Sequence, residues 1–189
     1  MPILRFYYIL NFIERLKSPD IEECWQAASE LYMISKNSEK LRQTAIDAGV
    51  ITEIGKLLDS SNPDICKLAI YYLSLYSFIP NHAQLIVEAD VISKLINLST
   101  SSNCKICNDT LWALESIIKM AKSGRKVSVK AGILTTLINP IKSLNKNTSA
   151  KAATLLTSVA ESNETFYAVV KQAGFIPSCA TPSEKYLLF

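Results

Sequence analysis

The sequence predicts an all-α fold built as a stack of repeated helical units, an α-solenoid. Three observations lead there. The segments Ala48-Gly49-Val50-Ile51, Ala89-Asp90-Val91-Ile92, Ala131-Gly132-Ile133-Leu134 and Ala173-Gly174-Phe175-Ile176 start 41, 42 and 42 residues apart. A second series, Leu31, Leu73, Leu114 and Leu156, keeps phase with the first at spacings of 42, 41 and 42. Self-similarity at such a period is the signature of a repeat architecture in which each unit buries its apolar face only against its neighbours. Between the markers, apolar residues recur at steps of three and four, and no alternating strand pattern intervenes.

Taken in order, the first element is the apolar stretch Ile3 to Ile13, interrupted by Arg5 and Asn11 and followed by Glu14. It is too short to span a bilayer, which needs about 20 residues, and it reads as a buried helix. Ser18-Pro19-Asp20 makes a turn, and Ala27-Ala28-Ser29-Glu30-Leu31 lies in the next helix. A short amphipathic helix between Ser38 and Ala48 carries Leu41, Ala45 and Ile46 on one side, and Gly49 ends it. A second helix follows with Ile51, Ile54, Leu57 and Leu58. Asp59-Ser60-Ser61-Asn62-Pro63-Asp64 then breaks the chain, and Asp64 is the expected N-cap of a third helix running through Tyr76. The order short helix, helix, longer helix recurs. The reading is one domain over 1–177, with a partial repeat 1–37, repeats at about 38–79, 80–121 and 122–162, and a partial repeat 163–177; residues 178–189 form a non-repeat tail.

Composition narrows the function. Of the 189 residues 49% are apolar and 20% charged, enough to bury a core without staples. Five Gly and one His leave few backbone nests for phosphate and little imidazole for acid-base or metal chemistry. No G-x-x-x-x-G-K, G-x-G-x-x-G or G-x-S-x-G occurs. The expectation is a protein without catalytic, cofactor-binding or metal-binding residues. The net charge of +3 is too small to draw nucleic acid or a membrane by itself, but it is uneven: net −3 up to Asn103 and net +6 from Cys104 onward. Five cysteines, with no secretory signal, fit a reducing compartment, cytoplasmic or nuclear.

Each chemical motif has a structural reading beside it. Cys104-Lys105-Ile106-Cys107 is a C-x-x-C, yet Cys24, Cys66 and Cys107 each stand seven residues before their marker Leu, so Cys107 fills a recurring small apolar slot. His82 is expected on a solvent-exposed polar turn. Lys119, Lys122, Arg125, Lys126 and Lys130 form a basic stretch around Ser123-Gly124, able to meet an acidic peptide, an anionic lipid or nucleic acid; the alternative is a solvated helix end whose cations complement the helix dipole. The third-helix face is the main candidate site. Two residues before each marker Leu stand Ser29, Tyr71, Trp112 and Thr154; two after stand Met33, Leu75, Ser116 and Ser158, one turn along the same face. Trp112 and Tyr71 are suited to anchoring an extended ligand or, alternatively, to packing between repeats.

Three-helix repeats of this length, with a short helix ending in Ala-Gly, an Ile/Leu-rich helix, and one containing text such as Thr110-Leu111-Trp112-Ala113-Leu114, resemble the armadillo family over about Ile9 to Ile176. The resemblance implies a right-handed superhelix whose third helices line an inner groove, and a non-catalytic module binding a partner protein or extended peptide there. Trp112-Ala113-Leu114 is similar to the Trp motif of importin-alpha-type nuclear-import adaptors; the position of its partner Asn holds Ser116, and no Asn stands elsewhere in the ladder. Asn37-Ser38-Glu39-Lys40-Leu41 is similar to helices of ciliary and axonemal armadillo proteins, and a chaperone-regulating role is a further reading. The chain opens and closes inside a repeat, as expected of a fragment, a shortened isoform or a protein whose ends dock elsewhere. Ile3, Phe6, Tyr7 and Ile9 are expected to be uncovered and to promote self-association.

Overall fold

The structure, a computed structural model, describes residues 2–160, with side chains from residue 6 onward. Helices α1 (Pro2–Arg15) and α2 (Ile21–Asn37) precede three units of one plan. The first holds α3 (Glu39–Asp47), α4 (Val50–Leu57) and α5 (Pro63–Ser77). The second holds α6 (Pro80–Glu88), α7 (Val91–Leu98) and α8 (Cys104–Met120). The third holds α9 (Gly124–Lys130), the pair α10 (Ile133–Thr136) and α11 (Ile138–Ile141), and α12 (Lys146–Ala160). There is no strand among the described residues. The long helices pack in succession, α2 on α5, α5 on α8 and α8 on α12, and the chain is an α-solenoid. The marker leucines sit on this seam, each no more than 1% exposed.

The turns explain the regularity. Before every long helix a Ser-x-Asx text folds the same way: the backbone N–H of Asp20, Asn62, Asn103 and Asn145 donates to the hydroxyl two residues earlier, of Ser18, Ser60, Ser101 and Ser143. Each Asx side chain then accepts the N–H two residues on, from Glu22, Asp64, Lys105 and Asn147, filling one of the orphan donors of a helix start. The cap of α5 is therefore Asn62 and not Asp64 as expected from sequence. Pro63 takes the first helical position, where a missing N–H costs nothing, and so moves the cap to the residue before it.

The recurring cysteine slot has a bonding role besides its small volume. The thiols of Cys24, Cys66 and Cys107 are buried and donate to the carbonyls of Leu16, Leu58 and Ser99, each eight residues earlier. Ser149 does the same to Ile141, at 2.6 Å. One side chain per unit thus ties the long helix to the end of the helix before it. Burial raises the pKa of all three thiols, which keeps them as neutral donors.

Two local departures have clear causes. Gly49 and Gly132 take φ of 85° and 84° between the first and second helices, and Asp90 is forced into the same left-handed region at φ 55°. In the third unit the second helix breaks into α10 and α11, because Pro140 has no N–H to offer the carbonyl one turn back.

Sequence expectations are corrected at two further places. The α1 helix is amphipathic and not wholly buried: Ile9, Phe12 and Ile13 are in the core, whereas Tyr7 and Tyr8 are exposed. Ile9, expected to be uncovered, is 0% exposed because α1 packs on α2 and α3; Phe6 and Tyr7 do lie open. His82 is 5% exposed inside α6, not on an open turn, and its Nε2 lies 2.9 Å from Gln43 Oε1 of α3. The partial repeat 163–177 and the tail 178–189 lie outside the described residues.

Candidate functional site

The face formed by the candidate residues is open. The apolar partners on the opposite side of each long helix fill the core, so none of the eight positions is fully buried. Met33 and Trp112 are exposed, at 55% and 43%, and Thr154 is exposed as well; Ser29, Tyr71, Leu75, Ser116 and Ser158 are half-buried.

The residues differ in what they offer. Trp112 on α8 stands edge-on against Phe78, the C-cap of α5, with ring centroids 5.7 Å apart. Together with Glu115, Ser116, Lys119 and Met120 they wall a hollow of about 230 Å³. Nearer the N-terminus, Trp25, Ser29 and Met33 follow one another at steps of four along α2 and, with Tyr8 and Phe12 of α1, wall a second hollow of about 410 Å³. Tyr71 lies between them. Burial first, then the Asp109 carboxylate of the next unit, raises the pKa of its hydroxyl. An aromatic, concave stripe with polar tips takes up an apolar side chain while its hydroxyls and amides hold polar atoms.

Three of the small hydroxyls are already engaged. Ser116 Oγ is 2.6 Å from Ser77 Oγ across the α5–α8 seam. Thr154 and Ser158 donate to the carbonyls of Ala150 and Leu155 in their own helix. The apolar stripe is thus densest from α2 to α8 and gives way to back-bonded hydroxyls on α12. Sequence reasoning missed Trp25, Phe78 and Met120. Continuing the ladder one further turn, from Ser29 back to Trp25, from Leu75 on to Phe78 and from Ser116 on to Met120, would have found them.

The basic residues sit at the end of α8 and along α9. Lys119 pairs with Glu115 at 3.2 Å on the rim of the Trp112 hollow. Lys122, in the turn before α9, and Lys126 and Lys130, one helical turn apart on it, are exposed, and Arg125 is half-buried. Cys104 is exposed and Cys107 buried, both as free thiols. Among the described residues no group of three or more His, Cys, Asp or Glu is placed to hold a metal ion, and no helix is long and apolar enough to cross a membrane.

Comparison with known proteins follows this geometry. Residues 80–119, which span α6 to α8, match the Armadillo/beta-catenin-like repeat. Comparison with curated proteins gave no match. Among solved structures, the chain is similar to an engineered protein from a structural genomics consortium, at 24% identity and a TM-score of 0.76, over 88% of this chain and 68% of that one. It is also similar to a designed armadillo repeat protein in complex with the peptide (KR)4, at 21% identity and a TM-score of 0.77, over 88% and 70% of the two chains. Computationally designed armadillo repeat proteins for modular peptide recognition superpose as well, at 21% identity and a TM-score of 0.77, over 88% and 71%. With α6 to α8 matching the repeat itself and the units on either side folding on the same plan, the chain carries an armadillo-type repeat at its centre and shares the α-solenoid fold of the designed armadillo repeat proteins.

Proposed function

We propose that this chain is a non-catalytic binding module, acting in the cytoplasm or nucleus, whose long-helix face holds an extended segment of a partner protein. One observation carries the reading: Trp112 stands exposed on an open face, braced edge-on by Phe78 over a hollow of side-chain size. A surface aromatic held in one orientation by its neighbour has little conformational entropy left to lose on binding. The similar designed protein that carries a (KR)4 peptide supports the choice of a peptide-like occupant. A nuclear-import role draws no support from Ser116, which stands where a clamping Asn would and turns its hydroxyl to Ser77.

The test is selection of binders from a displayed peptide library, followed by measurement of the best ones against Trp112→Ala. The expected loss is about 2 kcal/mol or more, roughly thirtyfold in affinity, as at a central aromatic contact. If every selected peptide binds Trp112→Ala as tightly as the parent chain, the groove reading is wrong.

A further inference from the structure

The chemistry of the occupant can be read one step further, resting on the groove reading above. From Ser116 to Ala160, 45 consecutive residues, the sequence holds eight Lys and Arg and no Asp or Glu. The structure puts part of this charge directly beside the apolar hollow. Lys119 and Met120 are in its wall beside Glu115, Lys122 is exposed in the turn that follows α8, and Lys126 and Lys130 are exposed one turn apart on α9. The acid of that wall, Glu115, is paired with Lys119 at 3.2 Å.

We infer that the occupant is an acidic polypeptide segment bearing one large apolar side chain, which enters the hollow of Phe78, Trp112 and Met120 while neighbouring carboxylates meet Lys122 and Lys126. Charge complementarity sets this choice, opposite in sign to the (KR)4 peptide of the similar designed protein. Single-stranded nucleic acid is the poorer fit, because beyond the Phe78–Trp112 pair the basic stretch Ser116 to Ala160 holds no Phe, Tyr or Trp to stack successive bases. An anionic membrane is the poorer fit too, since membrane-surface binding uses a protruding apolar face and the apolar feature here is concave.

Fluorescence anisotropy on the full chain tests this with three labelled peptides that share a central Trp and differ in the residues on both sides, Glu, Gln or Lys. The Glu peptide is expected to bind about tenfold or more tighter than the Lys peptide at low salt, with the gap closing at about 1 M salt, where screening acts within about 3 Å. The charge reversal Lys122→Glu with Lys126→Glu is expected to invert the order while leaving the thermal melt unchanged, since both side chains are exposed. Equal binding by all three peptides, each weakened by Trp112→Ala, would overturn the acidic assignment and keep the groove. Absence of binding by any peptide would overturn the groove reading and this inference with it. Binding to phosphatidylserine vesicles that the reversal abolishes, without discrimination among the peptides, would overturn the polypeptide assignment in favour of a lipid surface.

Discussion

At the scale of single residues, a recurring backbone demand decides which side chain is tolerated. The junction between first and second helices requires positive φ, met by glycine at Gly49 and Gly132 but by an aspartate at Asp90. An L side chain in that region clashes with its own carbonyl, at a cost of about 1 kcal/mol that glycine avoids. Asp90 is exposed, and its side chain caps no helix N–H. Asp90→Gly is therefore expected to stabilise the chain by about 0.5–1 kcal/mol, read as a raised urea midpoint with an unchanged slope. A lowered midpoint would show that the Asp90 side chain contributes more than its backbone strain costs. The same junction was legible in sequence because Ala-Gly and Ala-Asp recur in register; that an aspartate there is strained follows only from its φ.

At the scale of an element, α8 presents two faces whose roles separate by mutation. Leu114 is 0% exposed on the seam with α5 and α12, whereas Trp112, two residues away, is 43% exposed. Leu114→Ala is expected to cost about 2–5 kcal/mol through the cavity it leaves. Trp112→Ala removes chiefly its edge contact with Phe78 and is expected to cost about 1 kcal/mol. Thermal melts of the two variants check the pair. Equal destabilisation would put Trp112 in the core and the eight groove positions out of phase. Helical periodicity gave this phase before any coordinates, since residues two apart on a helix point to different sides. The Phe78 brace was beyond it, because Phe78 comes from the preceding repeat and meets Trp112 only once α5 and α8 pack.

At the scale of the whole molecule, polar contacts about one repeat apart tie unit to unit. Ser35 meets Tyr72 and Tyr76 in a buried hydroxyl cluster. Gln43 meets His82, and at the equivalent place one repeat on Gln84 meets Ser123. Burial lowers the pKa of His82 and Arg42 adds to this, while Glu39 and Asp47 oppose it. The folded value thus lies below the unfolded one, near 6.5, and the unfolded chain binds the extra proton. Stability is full above about pH 6.5 and falls as the pH drops through the window between the two values. Urea titrations between pH 7.5 and 5 should show this fall, with a shallower one for His82→Gln. Parallel profiles for the two chains would remove His82 as the source. Because repeats couple to nearest neighbours, the loss is expected to centre on the α3–α6 junction and to broaden the transition.

What the sequence by itself determined is everything that repeats. Period, helix order, the marker-leucine seam, the cysteine slot and the open face of the long helices follow from spacing, because a solenoid buries the same positions of every unit against the next. The tertiary structure alone decided what depends on a neighbour one repeat away. It buried His82 against Gln43, closed Ser116 onto Ser77, braced Trp112 with Phe78 and brought Lys119 to the rim of the same hollow. The physical reason is that these pairs lie some forty residues apart in the chain and share no local periodicity, so their contact is set by how successive helices stack and not by the text of either one.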